Sequence, residues 1–243
     1  MISENVSREA VASHYDELDH FYRDVWGEHV HHGLWLRGDE TRDEAVLNLV
    51  ELIAAEAQIV AETTVCDIGC GYGATARVLA ARGADVTGVT ISPAQFAFAQ
   101  TKTSDAEFVC ADWLENKLPN ESFDAAIAIE SSEHMPDIAR FFAEAHRVLR
   151  PNGILVVTAW LSADAPTERQ SRWLLEPVCR EGRMPNMGTV GDYYSLGANA
   201  GFKIERFQDV TQSVARTWPA IVRRFLAKLA TNPRYLSFIL SRN

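Results

Sequence analysis

Val65-Cys66-Asp67-Ile68-Gly69-Cys70-Gly71-Tyr72-Gly73 decides how this chain is read. The run begins as an apolar strand and ends in three alternating glycines. It opens at once into helix-forming sequence, Ala74–Arg82 (ATARVLAAR). A strand that stops in glycines and turns into a helix lets backbone N–H groups approach a ligand. Two residues before the first glycine stands a carboxylate, Asp67. A dinucleotide pyrophosphate is itself anionic and gains nothing from a carboxylate there, whereas a ligand with an amino group does. The pattern points to S-adenosylmethionine (SAM), whose methionine end carries an ammonium.

Outward from this turn the chain alternates. Strand 64–68 leads to helix 74–82, and strand 85–90 (DVTGVT) to helix 93–103, with Ser92 as N-cap and Pro93 at the first helical position. Strand 106–110 follows, then strand 123–129 and helix 136–149. A turn at Pro151-Asn152-Gly153 leads into strand 154–160. Such alternation predicts an α/β fold, a Rossmann-like, mostly parallel sheet with helices on both faces. Before it lie a helix over 6–25, the segment Trp26–Trp35 (WGEHVHHGLW) and an amphipathic helix over 43–62. After it, the polar, proline-bearing stretch 161–190 breaks the alternation around a short helix at 167–181. Helix 191–200, strand 202–209 and a helical tail over 212–241 complete the chain. The expected organisation is a single domain over 1–243, with an N-terminal lid (1–42), a SAM-binding core (60–160) and a substrate-cap insertion (161–190).

The formal net charge is −10, from 23 basic and 33 acidic residues, without a Lys/Arg run. That argues against a nucleic-acid partner, which needs a basic face. No apolar stretch approaches the ~20 residues that span a bilayer, so no transmembrane segment is expected. The N-terminus lacks a basic-then-apolar signal segment. The four cysteines show no zinc spacing, which suggests reduced thiols in a cytoplasmic protein. His29, His31 and His32 invite a metal reading, but no cysteine or carboxylate cluster completes a ligand set, so no metal is expected. The sequence sets no oligomeric state; a homodimer is compatible with it.

Five motifs in order resemble the class I SAM-dependent methyltransferases: VCDIGCGYG at 65–73, VTGVTISPAQ at 86–95, CADW at 110–113, FDAAIAIESSEHMPD at 123–137 and RVLRPNGILVV at 147–157. WGEHVHHGLW, TISPAQ and ESSEHMPD together look like the narrower group of γ-tocopherol methyltransferases, sterol C-methyltransferases and cyclopropane fatty acid synthases. The resemblance implies SAM as cofactor and a family pattern ending in two antiparallel strands, of which only 202–209 is visible here. It implies that Gly69, Gly71 and Gly73 let backbone approach the methionine part of SAM, and that Asp67 accepts from the ammonium or braces the loop. Thr90 stands where relatives carry an acid for the ribose; Thr90 and Gln95 are the expected substitutes. Asp112 is expected at the adenine amine, Trp113 beside the base, and Trp35 in a lid over the cofactor. Tyr15, His32, Trp160 and Tyr193 are candidate substrate contacts. Glu130, Glu133 and His134 are candidate catalytic groups, and a partly buried Glu130 would have a raised pKa suited to a base.

The resulting expectation is methyl transfer from SAM to a small apolar or aromatic molecule, with C-methylation of a quinol, phenol or prenyl-type acceptor favoured over N- or O-methylation. An NAD-dependent oxidoreductase is the first rival, disfavoured by Asp67 and by Thr90 at the ribose position. A non-catalytic SAM-binding module is the second; the three glycines and Asp112 count against it.

Overall fold

The computed structural model describes residues 8–102, 105–185, 187–232 and 235. Five strands, β1 (Thr64–Ile68), β2 (Asp85–Thr90), β3 (Glu107–Cys110), β4 (Phe123–Ile129) and β5 (Leu149–Thr158), form one sheet in the order β3-β2-β1-β4-β5. Every pairing is parallel. The chain winds from β1 through β2 to β3 on one side, then returns to β4 and β5 on the other. The carboxyl ends of β1 and β4 therefore flank the point where strand order reverses, and a crevice opens there.

Helices α1 (Arg8–Glu17), α2 (Asp19–Val25), α3 (Arg42–Glu56), α4 (Ala74–Ala80), α5 (Pro93–Gln100) and α6 (Ile138–Val148) precede β5 in the chain. One face of the sheet packs Val65, Val86 and Ile127 against Leu49 and Ile53 of α3 and Leu79 of α4. The other packs Cys66, Ile68 and Ala126 against Phe141, Phe142 and Val148 of α6. Burying both faces of β1 explains why its sequence is apolar without alternation.

Helix ends follow local chemistry. Thr41 and Glu44 make a reciprocal capping box at the start of α3. That helix stops at Glu56, short of the expected 62, because Gln58 turns left-handed (φ 53°) and Ile59 N–H closes on the Ala54 carbonyl at 2.9 Å. The expected helix over 6–25 divides at Leu18 into α1 and α2; residues 6 and 7 lie outside the described residues.

The expected turn at 151–153 is an excursion inside β5, between the pairs Phe123↔Leu149 and Ala125↔Ile154. Beyond β5, α7 (Glu168–Gln170) runs through a π-helical turn (Ser171–Leu175) into α8 (Glu176–Glu181). Pro177 has no N–H to offer the preceding turn, which locally breaks the α ladder. A bridge between Ser162 and Thr189 pins the base of this excursion. Next come α9 (Val190–Asn199), α10 (Thr211–Val214) and α11 (Thr217–Thr231). The expected tail helix to 241 runs into residues 236–241, outside the described residues.

One expected strand is absent: residues 202–209 are irregular. Their apolar alternation holds for Phe202 and Ile204 but slips at Arg206-Phe207, so the side chains cannot share one buried face. Phe202 packs on Phe142 and His146, while Ile204 and Phe207 are exposed. Among the described residues no helix is long and apolar enough to cross a membrane, and no group of three or more His, Cys, Asp or Glu could hold a metal ion.

Candidate active site

At the carboxyl ends of β1, β2 and β4 lies a cavity of about 1050 Å³, counting its open mouth. The N-terminal helices cover it through polar ties. Asp16 of α1 accepts from Ser92 Oγ (2.5 Å) and Ala94 N (3.2 Å), and the Tyr72 hydroxyl of the glycine loop donates to the Asp19 carbonyl of α2 (3.2 Å).

The three loop glycines are all left-handed (φ 78°, 55° and 72°), but they do different jobs. A Cβ on Gly69 would lie 2.4 Å from Ser131 Cβ, and one on Gly73 2.4 Å from Phe108 Cε1. Both are required by packing. At Gly71 the nearest atom would be Gln95 Nε2, 3.9 Å away, so its missing side chain leaves space in the cavity. Gly71→Ala should therefore fold with a cost of about 1–2 kcal/mol for the left-handed backbone, yet lose SAM affinity measured by calorimetry. Gly73→Ala should instead fail mainly in thermal stability. Equal stability losses would contradict this division.

Asp67 is buried at the cavity wall. It accepts a hydrogen bond from the Ala76 backbone N–H in the first turn of α4. Its Oδ2 has no partner among the described residues. Burial pushes its pKa up to about 7. Thr90 donates its hydroxyl to Gln95 Oε1 (2.8 Å), leaving the Gln95 amide nitrogen toward the cavity side of Gly71. Ser92 caps α5 through Gln95 N (3.1 Å). Asp112 Oδ1 accepts from Leu114 N (2.9 Å), so it caps a short 3₁₀ turn while also lining the cavity. The indole N–H of Trp113 is directed to the Phe141 carbonyl (3.3 Å) and not into the cavity.

The carboxylates after β4 differ from expectation. Glu130 is left-handed (φ 49°) and held from three sides. His32 N and Nδ1 donate at 3.0 and 2.8 Å, and Trp160 Nε1 donates at 2.9 Å. Burial works to raise its pKa, but the hydrogen bonds from His32 and Trp160 and the fields of His32 and His31 outweigh burial. The carboxyl is held below its ordinary range, so the expected raised pKa is not found there. Glu133 carries it instead: burial, reinforced by Glu130, pushes Glu133 up to about 8. Glu133 does not line the cavity; its carboxylate accepts from Trp160 N (3.1 Å) and Ser132 Oγ (3.3 Å).

His134 does line the cavity, with Nε2 3.0 Å from the Tyr15 hydroxyl. Burial lowers the His134 pKa to about 4 and raises that of Tyr15, so both are neutral at neutral pH. Val11, Ile129, Met135 and Pro136 share the lining with this pair.

Of the other candidates, Trp35 does not reach the cavity: its indole N–H donates to the Glu40 carbonyl (3.3 Å) and its ring packs on Gly33. His32, Trp160 and Tyr193 also lie outside the lining. His32 and Trp160 form an aromatic group with Trp26 and Trp218, and Tyr193 pairs with Ser132 Oγ at 2.8 Å. Among the lining residues not expected in the site from sequence are His29 and His31, read there only as possible metal ligands, and Thr75. His29 Nδ1 sits 3.2 Å from His31 Nε2 and 3.4 Å from Thr75 Oγ1. The period-two spacing of 29 and 31, with 32 turned away to Glu130, was the available signal.

The family described as a methyltransferase domain matches residues 66–157. Over 243 aligned residues the chain is 30% identical to tocopherol O-methyltransferase, chloroplastic, of Arabidopsis thaliana, covering 90% of this chain and 70% of that one. This chain belongs to the class I SAM-dependent methyltransferases. The methyltransferase is also 32% identical to 27-O-demethylrifamycin SV methyltransferase of Amycolatopsis mediterranei, with 87% and 80% of the two chains covered. The cyclopropane synthase MmaA2 of Mycobacterium tuberculosis superposes with a TM-score of 0.82 at 26% identity, over 98% of this chain and 87% of that one. The methyltransferase uses SAM, and two features of its cavity fit that molecule: the partnerless Asp67 Oδ2 can receive an ammonium, and the open space at Gly71 admits ligand atoms against backbone.

Proposed function

We propose that this methyltransferase acts on a phenol- or quinol-class acceptor with an apolar body, methylating a ring carbon activated by loss of the hydroxyl proton. The observation that carries the proposal is the neutral Tyr15–His134 pair set among apolar cavity residues. SAM supplies an electrophilic methyl group, attacked in line. In this reading Asp67 holds its ammonium, Gln95 a ribose hydroxyl and Asp112 the adenine amine. Thr90 acts one step back, by orienting Gln95.

The acceptor's hydroxyl donates to Tyr15 Oη while Tyr15 donates to His134 Nε2. As the acceptor attacks, its O–H proton passes to Tyr15 and the Tyr15 proton to His134; the methylated dienone then loses the proton of the substituted ring carbon and regains one on oxygen, so that the ring is restored and one proton is released overall. A relay that starts neutral suits a dry site, and the positive charge it leaves on His134 replaces the one lost from the sulfonium as the methyl departs. The segment 26–35, latched by His32 to Glu130, excludes water and holds the alignment on which an in-line transfer depends. Glu130 is a positioning residue in this scheme.

A second reading places the methyl on the acceptor oxygen itself. It uses the same relay, which draws the proton from the oxygen that would then be the nucleophile. Product mass spectrometry after transfer of labelled methyl to a panel of quinols, phenols and amines separates the two. Label confined to amines would overturn both. Within the panel, Tyr15→Phe should lower kcat for a phenolic acceptor by about a hundredfold with SAM affinity unchanged. Full activity of that variant would remove the relay.

A further inference from the structure

Gly27, at the exit from α2, is left-handed (φ 83°). Where its Cβ would stand, Arg42 Nη1 is 3.6 Å away and Arg224 Nη1 3.9 Å, with no other non-adjacent atom within 4 Å. Two guanidinium groups, one from the first turn of α3 and one from α11, thus converge on an open spot at a backbone bend.

Among the described residues little neutralises them. The Arg42 side chain is 11% exposed, and its contact with Asp43 is long (3.7 Å) to a carboxylate that is 88% exposed and so screened. Nη2 of Arg42 donates to the His29 carbonyl (2.8 Å), and its buried Nε has no partner among the described residues. The Trp26 ring, 5.9 Å from Arg42 Cζ, offers a weak face. Arg224 makes no hydrogen bond or ion pair among the described residues. Asp24 on α2 is engaged by the Tyr235 hydroxyl (2.8 Å) and Lys228 (3.7 Å). Burial first, and then the like charge of Arg224, pull Arg42 down to about 10.

We infer that Arg42 and Arg224 form a binding site for a phosphate-type oxyanion beside Gly27, outside the methyl-transfer cavity. Planar guanidinium groups bind such oxygens through charge-assisted hydrogen bonds, and an anion held between the two Nη1 groups would cancel their repulsion. The bound anion would also brace the lid, because Arg42 holds the carbonyl of His29, a cavity-lining residue. The phosphate is either a free one or a lipid headgroup, since both present the same oxygens to the two guanidinium groups.

The full-length protein tests this with two probes. Inorganic phosphate, compared with chloride at matched ionic strength, should raise Tm by roughly 2–4 °C. Arg224→Gln should abolish the response and, in phosphate-free buffer, be at least as stable as wild type, because the repulsion on Arg42 is relieved. Unchanged SAM affinity in that variant verifies its fold. Co-sedimentation with vesicles containing phosphatidylglycerol, but not with pure phosphatidylcholine, and its loss in Arg224→Gln assign the phosphate to lipid. A phosphate response without vesicle binding assigns it to a free anion. If neither probe distinguishes wild type from Arg224→Gln, or if that variant is less stable than wild type without phosphate, the site does not exist.

Discussion

Asp67→Asn should weaken SAM binding by about a hundredfold while making the SAM-free protein more stable above pH 7. The carboxylate is buried with one oxygen unpartnered, so without ligand it is a cost, and burial holds its pKa at about 7 against an ordinary 3.8. The sign follows from that shift. A raised folded-state pKa contributes stability that is full below about pH 4 and lost as pH rises through 7. Glu133, at about 8, extends the loss upward. The buried histidines have lowered pKa values and act in the opposite sense, but only below their ordinary range. Between pH 6.5 and 8 the carboxyls dominate, and each can remove up to about 1.4 kcal/mol per pH unit. Thermal scans should show the SAM-free wild type losing Tm across that window, and Asp67→Asn losing less. Saturating SAM should flatten the wild-type profile, since an ammonium favours the carboxylate. Calorimetry showing SAM affinity within threefold of wild type for Asp67→Asn would remove Asp67 from the ammonium site.

Glu130→Ala is expected to cost about 3–5 kcal/mol, because it strands three buried donors: His32 N, His32 Nδ1 and Trp160 Nε1. In a chain of this size that is a Tm loss on the order of 10 °C. Turnover should fall more than tenfold as segment 26–35 loses its latch, and SAM affinity should fall with it. Two controls separate positioning from proton transfer. Glu130→Gly loses the same latch but also relieves the left-handed strain, and should be about 1 kcal/mol more stable than Glu130→Ala. The surviving activity of either variant should keep the wild-type shape of its pH–rate profile. Loss of the acidic limb of that profile would show instead that Glu130 exchanges the proton.

Much of the fold was legible because its causes are local. The strand–glycine–helix sequence at 64–80, the Ser92–Pro93 helix start and the apolar strands each carry their conformation in adjacent residues. The α/β reading and the SAM cofactor followed from them. The strand expected at 202–209 failed where its apolar alternation slips at Arg206-Phe207, and strands also need a partner, which these eight residues do not supply. The domain boundaries at 42, 60 and 160 remain a reading of the sequence.

The site divides along the same line. Asp67 and the three glycines were visible in nine consecutive residues, since one turn both holds the loop and shapes the cavity floor. Their separate tasks, packing for Gly69 and Gly73 and open space for Gly71, depend on Ser131 and Phe108, distant in the chain. Glu130 and Glu133 are three residues apart and chemically alike, so no sequence pattern could rank their pKa values. His32 and Trp160 lower one, burial raises the other, and those neighbours come from the lid and from beyond β5. The sequence by itself determined the sheet, the cofactor and the turn that faces it, because backbone geometry is set by neighbours in the chain. Which carboxylate is ionised, which aromatic rings meet the cavity and where two arginines converge were decided only by the tertiary structure, because solvation and charge are set by neighbours in space.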